Sequence, residues 1–155
     1  MMKKLCAVLM LVVLLFGIAV ADDTYYVLCD PESFVYIREF PKKNSREWGF
    51  LYYGDSVEVD GKKRNGYWHV DGVNTETGDG WVKGLFLDDN EPILMSAHEY
   101  IVVSCGRLAA RNGVNGKRHG WLKPGTKVKV YGMSEEWAVT NKGYVKAEYL
   151  EVCGE

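Results

Sequence analysis

The chain is poor in the residues from which catalytic and metal centres are built. Among its 155 residues there are three histidines, His69, His98 and His119, and four cysteines. None stands in Cys-x-x-Cys or His-x-x-x-His spacing, which excludes the compact transition-metal motifs. A cysteine nucleophile needs a histidine base within reach and a third group to orient it. The histidines fall in a predicted hairpin, a linker and a loop, so no catalytic residue, cofactor or metal site is expected. The stretch from Asp71 to Asp79 is acidic like a calcium loop but lacks the alternating ligands and closing glutamate, and it reads as a plain hairpin loop. Beyond residue 21 no segment carries apolar residues at a sustained helical period with caps, which excludes a helical bundle. Basic runs in the second half never exceed two residues, and a formal net charge of -2 argues against general affinity for nucleic acid.

The long apolar run that is present lies at the N-terminus. Lys3 and Lys4 precede an apolar stretch from Leu5 to Ile18, and Ala19-Val20-Ala21 supplies a small-x-small cleavage site. This pattern predicts a secretory signal peptide over residues 1–21, cut after Ala21, and an exported chain with no membrane attachment thereafter. Cys6 lies inside the apolar run, not at its end, which disfavours lipid attachment. Loss of Lys3 and Lys4 from the 19 basic residues leaves 17 against 21 acidic ones. The halves differ in sign: Tyr25 to Asn90 carries 8 basic and 12 acidic residues, and His98 to Glu155 carries 9 and 6. An anionic partner for the second half and ordinary scatter of solvated charge are both compatible with that split.

What fills the rest is a motif written twice. Gly80-Trp81-Val82-Lys83-Gly84-Leu85-Phe86-Leu87 recurs as Gly143-Tyr144-Val145-Lys146-Ala147-Glu148-Tyr149-Leu150. Ser45 to Val59 aligns without gaps on Gly116 to Val130, with Gly49/Gly120, Leu51/Leu122, Gly54/Gly125, Val57/Val128 and Val59/Val130 identical. Upstream, Val35-Tyr36-Ile37-Arg38 answers Leu108-Ala109-Ala110-Arg111, and Cys29 answers Cys105. Trp68 answers Trp137. The offset falls from 71 at the glycines to 69 at the tryptophans and 63 at the closing motif, so the first copy carries insertions of about two and six residues, expected as loops.

Within each copy the local signals are those of short strands. Val57 and Val59 alternate with polar neighbours, as do Val128 and Val130, and a period of two marks a half-buried strand. Gly54-Asp55 and Pro124-Gly125 are turn signals before those strands; Asn65-Gly66 and Asn141-Lys142-Gly143 mark hairpins after them. The fold class is therefore all-β, a small barrel or sandwich per copy. The copies span 25–88 and 99–153. The acidic, proline-containing segment 89–98 reads as the linker, with Ile93, Leu94 and Met95 available to pack at an interface.

Five tryptophans and ten tyrosines exceed what two such small cores require, and aromatic faces are a common grip on peptides and sugars. The candidate ligand-binding residues are Tyr36, Trp48, Tyr52, Tyr53, Trp68 and Trp81 in the first copy and Trp121, Tyr131, Trp137 and Tyr144 in the second. Trp68, Trp81, Trp137 and Tyr144 sit at repeated strand positions and are expected to be partly core. Adjacent Tyr52 and Tyr53 cannot both point inward from extended backbone, so at least one is expected at the surface.

The order of these features resembles the bacterial SH3 (SH3b) domain. It runs from a strand ending in Cys through Val-x-Ile-Arg, a loop from Pro41 to Ser45, Gly-x-Leu-x-x-Gly-Asp-x-Val-x-Val and a Trp to Gly-Trp-Val-Lys and a closing aromatic-Leu. The second copy departs from it: Arg111-Asn112-Gly113-Val114 stands in place of the Arg-x-x-Pro loop, and Tyr144 where the family usually has Trp. The resemblance implies two tandem SH3-like β-barrels and a secreted, non-catalytic cell-wall binding protein that recognises peptidoglycan, in particular its peptides. Its alternative is a protein-protein interaction or structural module, including an inhibitor or effector of another protein. Such modules often accompany Cys/His wall peptidases, but the two copies take up nearly all of the chain after the leader, so no enzyme is expected here. In a barrel of this type the first and last strands of a copy run side by side, which makes Cys105 with Cys153 the favoured disulfide; a Cys29 to Cys105 bridge is the lesser variant. The favoured pairing leaves Cys29 buried or open to an intermolecular bond.

Overall fold

A computed structural model describes residues 23–93, 96–103 and 106–153. The expected signal peptide, Leu94, Met95 and Cys105 lie outside the described residues. The described chain is all-β, 54% strand, and no helix in it is long and apolar enough to cross a membrane.

The first copy contains β1 (Asp23–Val27), β2 (Val35–Arg38), β3 (Glu47–Leu51), β4 (Ser56–Arg64), β5 (Tyr67–Asp71), β6 (Asp79–Lys83) and β7 (Leu87–Asp88), with a 3-10 turn at Gly84–Phe86 before the last. The second contains β8 (His98–Val102), β9 (Leu108–Arg111), β10 (Arg118–Leu122), β11 (Lys127–Met133), β12 (Trp137–Thr140), β13 (Gly143–Lys146) and β14 (Leu150–Val152), with a 3-10 turn at Ala147–Tyr149. The sheets run β3-β2-β6-β5-β4-β1-β7 and β10-β9-β13-β12-β11-β8-β14, the same order displaced by seven strands, and form two SH3-like domains. In the first, β4 pairs with β1 through Ser56–Val59 and with β5 out to Arg64, with a register shift between Val59 and Lys63. One strand thus serves two parts of a strongly curved sheet, since a bulge bends the strand that carries it.

The alternation read from sequence is the alternation of burial. Val57 and Val59 are buried while Ser56 is exposed, and Val128 and Val130 are buried between exposed Lys127 and Lys129. Val27, Val35, Ile37, Val70, Val82 and Leu87 complete the first core; Val102, Leu108, Ala110, Ala138 and Val145 belong to the second. The hairpin at Asn65-Gly66 has φ 52° and 76°, the doubly left-handed geometry that favours Asn-Gly. The six-residue insertion forms the connection from β5 to β6.

The two barrels are joined by a third apolar cluster. Leu28 from the first barrel packs with Val114, Trp137, Val139 and Tyr144 from the second, with Tyr53 and Phe86 against them. The Tyr144 hydroxyl donates to the Leu28 carbonyl at 2.7 Å, Val114 N–H donates to the Leu85 carbonyl at 2.7 Å, and Ser134 Oγ donates to buried Asp88 Oδ2 at 2.7 Å. Tyr53 clamps the connection: its hydroxyl donates to the Ile93 carbonyl at 2.8 Å and accepts from Met133 N–H at 3.1 Å. Gly132 makes room for it, because a Cβ there would overlap the Tyr53 ring. Ile93 adds a backbone bridge to Met133 while its side chain stays exposed.

This interface takes up three of the aromatic residues weighed as ligand contacts, two of which, Trp137 and Tyr144, were expected to be partly core. Trp137 and Tyr144 are 2% and 7% exposed, and the Tyr53 hydroxyl is spent on Ile93 and Met133. Their rings pack where the barrels meet, Trp137 and Tyr144 buried and Tyr53 half-buried. Sequence periodicity could not separate a barrel's own core from a second, shared one.

Candidate functional site

The first barrel exposes an aromatic face on β2 and β3. Val35 and Ile37 point inward, so Tyr36 and Arg38 point out; across the strand pair, Leu51 points in and Phe50 out. Tyr36 stands opposite Phe50 in the antiparallel register. Phe34 packs edge-on to both, with ring centroids 5.2 Å from Tyr36 and 4.9 Å from Phe50, and it reaches Tyr52 at 6.5 Å. Phe34, Phe50 and Tyr52 are 42%, 50% and 56% exposed. A contiguous exposed apolar surface of this kind is a candidate interaction site. A cavity of about 240 Å³ opens beside it, lined by Phe34, Val35, Tyr36, Arg38, Lys83 and Phe86. The Arg38 guanidinium lies 4.9 Å from the Tyr36 ring centroid, donates to the Ser45 carbonyl at 2.9 Å and approaches Glu47 Oε1 at 3.5 Å.

The second barrel carries the corresponding cavity, larger at about 370 Å³, lined in part by Arg107, Leu108, Ala109, Arg111, Trp121 and Tyr149. Ala109 replaces Tyr36, and Trp121 stands opposite it as Phe50 stands opposite Tyr36. The tyrosine ring that lines the first cavity has no counterpart in the second. Trp121 is 48% exposed, with the Arg118 guanidinium 4.4 Å from its centroid.

Of the residues singled out in sequence, Tyr36, Tyr52 and Trp121 thus fall on the open faces. Trp48 is half-buried on β3, and its indole N–H is buried without a partner among the described residues. Trp68 is half-buried, with Lys63 Nζ 3.7 Å from its ring centroid and Tyr25 edge-on at 5.0 Å. Trp81 packs against His69 at 5.0 Å. Tyr131 is half-buried beside Lys129. Phe34 and Phe50 were missed, because only Trp and Tyr were weighed as ligand contacts. The signal was present: Phe50 adjoins inward Leu51 on a strand.

The titratable clusters are satisfied internally. His69 lies between Asp60, 3.0 Å from Nδ1, and Asp79, 3.1 Å from Nε2; Asp71 approaches the same group. Asp60, His69 and Asp71 offer ligand atoms within 4.8 Å of one another, so a metal ion there would replace a ring proton and take the carboxylates as ligands. Burial pushes the Cys29 thiol up to about 11, with the Asp30 and Asp55 charges adding to the shift. Among the described residues Cys153 has no disulfide partner. Its N–H donates to the Glu99 carbonyl, continuing the antiparallel pairing of β14 with β8; the expected Cys105–Cys153 pairing involves a residue outside the described ones.

The architecture is that of an all-β chain of two SH3-like barrels, each with an open groove at the same place. Residues 33–88 match the family model of the bacterial SH3 domain. No curated protein matches the chain. Among solved structures, NlpC1 from Trichomonas vaginalis is similar at 16% identity and a TM-score of 0.35, over 85% of this chain and 46% of that one. NlpC2 from the same organism is similar at 15% identity and a TM-score of 0.36, over 86% and 49%. The chain spans about half the length of these proteins.

Proposed function

We propose that the chain is an exported, non-catalytic module that binds a peptide-bearing polymer of the cell envelope, peptidoglycan or its peptides, through the aromatic face of the first barrel. The observation that carries this reading is the exposed Phe34–Tyr36–Phe50–Tyr52 cluster beside an open groove, within the segment that matches the bacterial SH3 family model. An extended peptide laid along that groove packs small side chains on the rings, and Arg38 and Lys83 at its wall offer N–H donors to peptide carbonyls. The absence of chemistry is part of the proposal. A thiol raised to about 11 is the reverse of an activated nucleophile, and His69 is held by carboxylates on both sides.

The test is co-sedimentation with purified sacculi before and after protease treatment. Retention that survives protease supports a wall ligand. Retention abolished by protease would instead assign the aromatic face to a protein partner.

A further inference from the structure

The two grooves differ in charge, and the difference follows from two substitutions between the copies, Arg118 for Glu47 and Arg107 for Phe34. In the first barrel Arg38 faces Glu47 across the β2–β3 pair and is neutralised by it. In the second barrel Arg111 keeps the corresponding backbone bond, donating to the Gly116 carbonyl at 2.9 Å, but the residue opposite it is Arg118. Like charges directly opposite on a sheet repel. Phe34 is replaced by Arg107, which lines the same cavity. Among the described residues no carboxylate forms an ion pair with Arg107, Arg111 or Arg118. Lys146, on the far wall, is already paired with Glu136 at 2.7 Å.

We infer that the second groove is an oxyanion site. Its ligand is a carboxylate or phosphate attached to a small apolar body: the guanidiniums of Arg107 and Arg111, which line the cavity, take the oxygens with Arg118 beside them over the Trp121 ring, and Leu108, Ala109 and Trp121 take the apolar part. Guanidinium forks match both oxyanions bidentately, and Ala109 opens the space the body needs. In the setting proposed above, the nearest source is the C-terminal carboxylate of a peptide. That source rests on the wall-peptide reading, whereas the oxyanion site itself does not.

The whole chain downstream of the predicted leader is titrated by NMR with acetyl-Ala-Ala, with the same peptide as its C-terminal amide, and with inorganic phosphate. The readouts are the Ala109 amide and the Trp121 indole signals. The free carboxylate is expected to shift both, and the amide neither. Arg118→Glu, which restores the first barrel's ion pair, is expected to weaken binding roughly tenfold or more while raising Tm. Ala109→Tyr, which refills the groove, is expected to block the apolar body without removing a charge. Shifts with phosphate alone support the oxyanion site and assign its source to phosphate. Equal shifts with peptide and amide, or no shift with any probe at millimolar concentration, overturn the inference. Retention on sacculi, measured in parallel on Arg118→Glu, keeps the two claims apart. Loss of carboxylate binding with retention intact bears on this site only, and lost retention by the unaltered chain bears on the wall reading only.

Discussion

Single side chains divide into those that hold the barrels together and those that face outward, and opposite effects are expected from the two sets. The Tyr144 hydroxyl is buried against the Leu28 carbonyl. Tyr144→Phe leaves that acceptor without its partner and is expected to cost about 1–3 kcal/mol, read as a lower midpoint in chemical denaturation. Trp137 is almost wholly buried, and Trp137→Ala is expected to cost about 3–5 kcal/mol. Phe50→Ala is expected to leave the midpoint nearly unchanged, because the ring is half exposed and lies outside the buried clusters. Cys29 gives a pH dependence of defined sign. Its pKa is raised from 9.0 to about 11, so the folded chain holds this proton more tightly than the unfolded one. The resulting stability is complete below pH 9 and is lost as the pH rises through about 11. Tyr144, also raised, first by burial, acts in the same direction. Denaturation midpoints at pH 8 and pH 11 check the sign, and Cys29→Ser is expected to reduce the slope.

At the scale of strands and turns, most of the barrel was legible in the residues. Val57/Val59 and Val128/Val130 announced β4 and β11 through their alternation, and Asn65-Gly66 announced its hairpin, because these signals depend on neighbours two residues apart or fewer. The interface was legible only at the linker, where Ile93 meets Tyr53 and Met133. Leu28, Val114 and Val139 read as ordinary strand or loop apolar residues, and nothing in a local window says that one barrel's outer surface is another's partner. Exposure was half legible: of the aromatic residues named, Tyr36, Tyr52 and Trp121 lie on open faces, while Trp137 and Tyr144, expected to be partly core, are buried with Tyr53 beside them, because aromatic residues serve both roles. Gly132 sits at the closest approach between β11 and Tyr53, so Gly132→Ala is expected to destabilise the docked pair. Weaker hydrogen-exchange protection at Met133, whose N–H the Tyr53 hydroxyl accepts, is the measurement that reads it.

At the scale of the whole molecule, the shared cluster and the Tyr53 clamp make two small barrels into one cooperative body. Each copy alone is near the lower size limit for a self-sufficient core, so calorimetry is expected to show a single transition with matching calorimetric and van't Hoff enthalpies. Two separated transitions would mean that the interface contributes little. On the proposed wall-binding function, fixed docking would present two grooves, one aromatic and one basic, to the same extended ligand, with avidity when both engage at once. The central claim is that the aromatic face grips the wall, and the most direct measurement is retention on protein-free sacculi of the unaltered chain against a Phe50→Ala/Tyr52→Ala variant matched to it in Tm. The account predicts retention of the first and a loss of roughly tenfold or more in the second, since stacking aromatics dominate such contacts. Equal retention of both would contradict it.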